Sequence, residues 1–155
     1  MIASNIMTTG VVTLGHKSTM LDAIKLISVK QVRQIPVVDP SGRVVGVITP
    51  RKLMKAILPP YVADGTVADV RFAPELPEFV ENIDSLASKS VDDILDKEFV
   101  SVGPETHSME VAALFVNAKK PVESILVVDS GKRVLGIISP WDLFRRLWEY
   151  SERKK

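Results

Sequence analysis

The stretch from Ile35 to Leu53 reads IPVVDPSGRVVGVITPRKL, and the stretch from Ile125 to Leu143 reads ILVVDSGKRVLGIISPWDL. The two align without gaps at an offset of 90. Ten of the nineteen positions are identical, namely Ile35, Val37, Val38, Asp39, Arg43, Val44, Gly46, Ile48, Pro50 and Leu53 and their partners. Upstream the match continues at an offset of 88, where Ile6 meets Ile94, Val12 meets Val100, Gly15 meets Gly103 and Leu26 meets Leu114. The two-residue difference falls in a loop, where insertions cost little. An internal repeat of this length is the mark of duplication.

Each copy can be read physically. Ile35–Val38 is a continuous apolar run, as in a strand buried on both faces. Asp39-Pro40-Ser41-Gly42 has the composition of a tight turn. Val44–Ile48 then returns as the second arm of a hairpin. Thr49-Pro50 opens a helix, with the threonine as N-cap and the proline at the first helical position. Before the hairpin, Val11–Leu14 is short and β-branched and reads as a strand. Ser18 or Thr19 caps a helix whose apolar face is Leu21, Ile24, Leu26, Ile27 and Val32. The second copy predicts strands over Phe99–Val102, Ser124–Val128 and Val134–Ile138. Its helices are predicted over Ser108–Ala118 and from Pro140 to about Trp148.

Between the copies, Pro59-Pro60 stops a helix. Phe79, Ile83 and Leu86 follow at helical spacing after Pro77, and Ser90-Val91-Asp92-Asp93 has the form of a capping box. The expected organisation is therefore one repeat over 1–58, a connector with one helix over 59–89 and a second repeat over 90–155. A half of about 55 residues is marginal alone, because its sheet would have one face bare. Two βαββα halves packed through their sheets solve this. The predicted fold is α/β, of the α+β kind, with pseudo-twofold symmetry and a cleft between the halves, a common place for a ligand.

Composition narrows the function. Of the 155 residues, 46% are hydrophobic and 25% charged, the balance of a folded globular chain. The formal net charge is +1, so no global field recruits nucleic acid or an anionic membrane. No stretch approaches the roughly 18 apolar residues that span a bilayer, and MIASNIMTTG lacks the pattern of a secretory signal. There is no cysteine, which excludes disulfides and thiolate sites. A cytoplasmic setting is expected. There is no P-loop, no G-x-G-x-x-G and no paired histidine ligands, and no nucleophile–base set stands out. His16 and His107 have no metal-spaced partner. No catalytic and no metal residue is assigned.

An apolar strand ending in VVD, a glycine turn, a strand ending GVIT or GIIS and a helix, present twice, resembles the CBS-domain pair, or Bateman module. The resemblance covers essentially the whole chain. It implies a regulatory sensor, not an enzyme, with no required cofactor, binding an adenosyl ligand such as AMP, ADP, ATP or S-adenosylmethionine. It also implies a homodimer of two modules in a flat disc. A stand-alone pair is expected, and with it an effector that is a separate protein.

In the family, a Thr or Ser and an Asp three residues later hold phosphate and the ribose hydroxyls. The second repeat has this motif intact as Ser139-Pro140-Trp141-Asp142. The first has Thr49-Pro50-Arg51-Lys52, where lysine replaces the acid and could instead meet phosphate. The adenine positions carry over to Val12, Thr13, Ile35 and Pro36, and to Val100, Ser101, Ile125 and Leu126. The basic residues before the second strand correspond to Arg33 and, less directly, Lys120. Glu123 in the same neighbourhood would repel phosphate. The expectation is two unequal sites, with one ligand centred on the second repeat. The alternative is a ligand-free dimerisation or interaction module, in which Ser139 and Asp142 simply form a capping box.

Overall fold

Asp39 and Asp129 fold the two hairpins in the same way. The Asp39 Oδ1 accepts hydrogen bonds from the N–H groups of Ser41 and Arg43 at 2.9 and 3.0 Å. The Asp129 Oδ1 accepts from Gly131 and Arg133, both at 2.8 Å. Gly42 takes the left-handed conformation in the first turn (φ +81°), and Lys132 takes it in the second (φ +62°). A side chain there costs energy that glycine avoids.

The structure is a computed structural model that describes residues 1–66 and 76–154. The elements run α1 (Ala3–Ile6), β1 (Leu14–Gly15), α2 (Met20–Lys30), β2 (Ile35–Val38), β3 (Val44–Ile48), α3 (Pro50–Ile57), α4 (Pro60–Ala63) and α5 (Leu76–Leu86). A 3-10 turn (Val91–Ile94), β4 (Ser101–Val102), α6 (Ser108–Asn117), β5 (Ile125–Val128), β6 (Val134–Ile138) and α7 (Pro140–Glu152) complete the chain. Each half holds a three-stranded sheet, β1-β2-β3 or β4-β5-β6. In each, the first pair is parallel and the second antiparallel. The registers match: Ile35 opposes Ile48 as Ile125 opposes Ile138, and both hairpins bulge at the same step.

The hairpins, α2 and the start of α3 fall where the sequence puts them, and Thr19 is the residue that caps α2. Four differences stand out. The first strands are shorter and later than predicted, because only Leu14-Gly15 and Ser101-Val102 find partners on β2 and β5. Val11 and Val12 leave the sheet for the cleft. Helix α7 runs to Glu152, beyond Trp148, since no proline or glycine stops it. Ser90 caps a 3-10 turn, accepting from the Asp92 N–H. In the connector, Pro60 opens α4, a single turn that the periodicity does not reveal. Helix α5 begins at Leu76 and lies against α2 and α3 with Phe79, Ile83 and Leu86 half-buried.

The cores do not follow the order of the chain. Ala3 and Ile6 of α1 are fully buried among Val111, Ile125, Val127, Ile138 and Leu143 of the second half. Val91 of the 3-10 turn is fully buried among Ala23, Ile35, Val37, Ile48 and Leu53 of the first. The leading segment of each repeat is thus housed in the other. Backbone bridges fix the exchange in symmetric pairs: Thr8 with Ile137 and Asp96 with Val47, Ile2 with His107 and Ser90 with Thr19. The crossing is close. A methyl group added at Gly136 would stand 2.5 Å from the Met7 sulfur, and one at Gly46 would stand 3.0 Å from Leu95 Cδ2.

A third cluster joins the sheets, with Val44, Val47 and Leu126 buried and Phe99, Val128, Val134 and Ile137 packed against them. Arg43 pairs with Arg133, its own repeat equivalent, which places the pseudo-twofold axis between the two hairpins.

Candidate functional site: the interrepeat cleft

The exchange of leading segments builds a cleft from both repeats. Its volume is about 280 Å³. One wall is residues 8–12, running from the Thr8–Ile137 bridge toward β1. A second is Val32, Arg33 and Gln34, the approach to β2. Ser124, Ile137, Ser139 and Asp142 from the second repeat complete it.

Asp142 is the electrostatic centre. Its side chain is 14% exposed. Ser139 caps α7, and the Asp142 carboxylate reaches back to it. Oδ2 accepts from the Ser139 N–H at 2.8 Å and from its hydroxyl at 2.6 Å. Oδ1 accepts from the Thr8 hydroxyl at 2.9 Å and from Arg145 at 3.0 Å. Burial pushes this carboxyl up, but the Ser139 and Thr8 hydrogen bonds and the Arg145 charge outweigh it and hold the group below the ordinary aspartate value. Two carboxylate oxygens offer about four acceptor positions, and here all are filled. A ligand hydroxyl must therefore take the place of one of these donors. The Arg145 side chain is 55% exposed, so its ion pair is solvent-screened and easily displaced.

The floor is polar and unsatisfied. Gln34 and Ser124, equivalent in the two repeats, are 8% and 4% exposed. The Gln34 Nε2 and the Ser124 Oγ find no hydrogen-bond partner among the described residues. Buried polar atoms without partners are costly, and here both line the cavity, where a polar guest would satisfy them. Arg33 stands at the edge, its guanidinium 5.9 Å from the centre of the Trp141 ring.

Of the residues singled out in the sequence, the cleft gathers Val12, Arg33, Ser139 and Asp142. The intact Ser139–Asp142 motif is thus joined to the first repeat's Val12 and Arg33, not to Val100 and Ser101. Ser101 is exposed, and Val100 packs against the second core. Thr13 is exposed and lies one residue beyond the lining. Ile35, Ile125 and Leu126 are core side chains, and Pro36 is buried. Thr49 caps α3, accepting from the Lys52 N–H at 3.2 Å, on the opposite side of the pseudo-twofold. Lys120 forms an ion pair with Glu98. Residues not anticipated are Thr8, Thr9, Gly10, Val11, Val32, Gln34, Ser124 and Ile137. A polar residue directly before each buried strand, Gln34 and Ser124, was the available signal. No group of three or more His, Cys, Asp or Glu among the described residues could hold a metal ion. Nor is any of the described helices long and apolar enough to cross a membrane.

The sequence model of the CBS domain matches residues 3–59 and again 91–149. The chain belongs to the CBS domain family. A CBS-pair protein from Arabidopsis thaliana, CBSX2, superposes with a TM-score of 0.76 at 20% identity, covering 97% of this chain and 96% of the other. CBSX2 in complex with AMP gives a TM-score of 0.71 at 21% identity, over 97% and 98% of the two chains. The CBS domain pair of MJ0100, in complex with 5′-methylthioadenosine and S-adenosylmethionine, gives 0.68 at 18% identity, over 97% and 98%. In sequence, the uncharacterised protein MJ1426 of Methanocaldococcus jannaschii is 23% identical over 88% of this chain and 85% of its own length. These likenesses establish the CBS-pair fold.

Proposed function

We propose that the chain is a regulatory CBS pair that binds one adenosyl ligand in the Asp142 cleft and passes its occupancy to a separate protein. The observation that carries this reading is the lining of one cleft. A half-buried, ionised carboxylate stands with two unsatisfied buried polar groups and a guanidinium that has no carboxylate partner among the described residues. Asp142 suits the two hydroxyls of a ribose, and Arg33 suits an anionic group at the other end. The two solved CBS pairs with bound adenosyl compounds support the ligand class. Among such ligands we place AMP, ADP, ATP and S-adenosylmethionine.

Titration calorimetry and thermal unfolding with AMP, ATP and S-adenosylmethionine test it. At a hundred times Kd, one ligand should add about 2.7 kcal/mol of stability, with a stoichiometry near one per chain. No heat and no shift with any of the three at millimolar concentration would sink the proposal.

A second reading rests on a different observation. Trp141, Phe144 and Trp148 of α7 are each about two-thirds exposed and share a helix face. Aromatic clusters of this kind mark interaction surfaces. We propose that this face pairs two copies of the chain. In the ligand-free version of this reading, dimerisation is the whole function. Sedimentation of the protein with and without AMP separates the two.

A further inference from the structure

Arg33 has an unusual position. It lines the cleft, and its guanidinium lies over the ring of Trp141. Asp142 is already paired with Arg145, so Arg33 has no carboxylate partner among the described residues. Among the described residues its guanidinium meets only the ring. Cation–π attraction at so exposed a ring is at the weak end of its range. A hydrogen bond from a guanidinium to a phosphate or carboxylate is among the strong ones. Where the two compete for one side chain, the anion wins.

We propose that Arg33 is a positioning residue that reports occupancy of the cleft to α7, by leaving the Trp141 ring for the anionic group of the bound ligand. The exchange presupposes an anionic adenosyl ligand in the cleft, as proposed above. It needs no movement of the backbone, since the guanidinium sits on a long side chain between both partners. Trp141 is adjacent in sequence to Asp142, so one turn of helix carries both the carboxylate of the cleft and the ring that Arg33 covers. It is also the first residue of the exposed face that continues through Phe144 and Trp148. Release of Arg33 uncovers that ring and removes a positive charge from the edge of the face. Ligand occupancy is thereby written onto the surface of α7 through one side chain. Linkage works in reverse as well: a partner that covers Trp141 displaces Arg33 toward the cleft and favours the ligand.

The chain has two tryptophans, so Trp148→Phe leaves Trp141 as the sole indole emitter. In that background AMP is titrated by calorimetry and by fluorescence together. The expected result is a saturable change in Trp141 emission that follows the heat. With Arg33→Gln added, AMP should bind about tenfold more weakly, and at saturation the emission should stay at its starting value. In a separate variant, Trp141→Leu should bind AMP about two- to fivefold more tightly than the wild type, because the ligand no longer competes with the ring. AMP binding that leaves Trp141 emission unchanged overturns the exchange and leaves the nucleotide reading standing. So does an emission change that survives Arg33→Gln. Weaker AMP binding in Trp141→Leu also overturns it, since the ring would then be stacking on the ligand. Absence of any heat with AMP, ATP and S-adenosylmethionine alike brings down both.

Discussion

The Asp142 cleft and the pseudo-twofold equivalent of its lining are built on the same scaffold and carry opposite chemistry. Repeat equivalence sets Asp142 against Lys52, Thr8 against Asp96, Arg33 against Glu123 and Val11 against Phe99. On one side a carboxylate is wrapped in hydroxyls, with a guanidinium at the edge. On the other, a lysine replaces the carboxylate, and acids stand where the hydroxyl and the guanidinium were. Phe99 packs onto Val44, Val47 and Leu126, where its smaller counterpart, Val11, lines the open cleft. The difference teaches that the two repeats share a framework but not a site. Backbone register is kept to the residue, while the side chains at the positions of the cleft lining are not.

The largest expected effect bears on the exchanged segments. Ile6→Ala should cost about 2–5 kcal/mol, as for other fully buried isoleucines. Its equivalent, Ile94, is only half-buried, so Ile94→Ala should cost less. Chemical denaturation of the two variants ranks them, and equal losses would contradict the packing seen here. Next comes the ligand. Asp142→Asn should weaken AMP by about tenfold to a hundredfold, the usual loss for a hydrogen bond to a charged group. Lys52→Ala should leave the affinity as it is. A Lys52→Ala protein that binds poorly would move the site to the other cleft.

A smaller effect separates the helix caps. Thr19 caps α2 and forms a full capping box with Asp22. Its counterpart at α6 is His107, which makes no side-chain cap bond, although Glu110 already stands three residues on. His107→Thr should therefore stabilise the protein by about 1 kcal/mol, raising the melting temperature. No gain would mean that a hydroxyl at this position does not reach the free N–H groups of α6.

The smallest expected effect is in acid. Asp142 titrates below the ordinary aspartate value in the folded state. The stability it contributes is full above the unfolded value and is lost as the pH falls through the lower, folded one. Asp142→Asn should flatten the acid limb of the stability profile in that interval. An unchanged limb in Asp142→Asn would place the acid sensitivity elsewhere.

Much of this was legible in the sequence. The hairpins were, because a continuous apolar run, an Asp-led turn and a returning run each have a local cause. So was the Ser139–Asp142 pair, since an N-cap and its acid lie three residues apart. The partner of that pair was not. Nothing local in the N-terminal segment says that Thr8 will reach a carboxylate 134 residues away. The same holds for Ile6, whose apolar side chain fits either core by its chemistry alone. Nor could Val11 be read as a cleft residue, and only the family resemblance, not residue chemistry, pointed to Val12. Their β-branched character suits a strand, and only the shortness of the pairing with β2 releases them. Tertiary placement, not residue type, decided each of these.

The reciprocal housing of α1 and the 3-10 turn has a bearing on how the halves are joined. A single repeat, alone in solution, would have a leading segment with nowhere to go and a core lacking one wall. Two separate copies would each supply what the other lacks. The link between the halves is therefore more than a tether, because each half closes the core of the other.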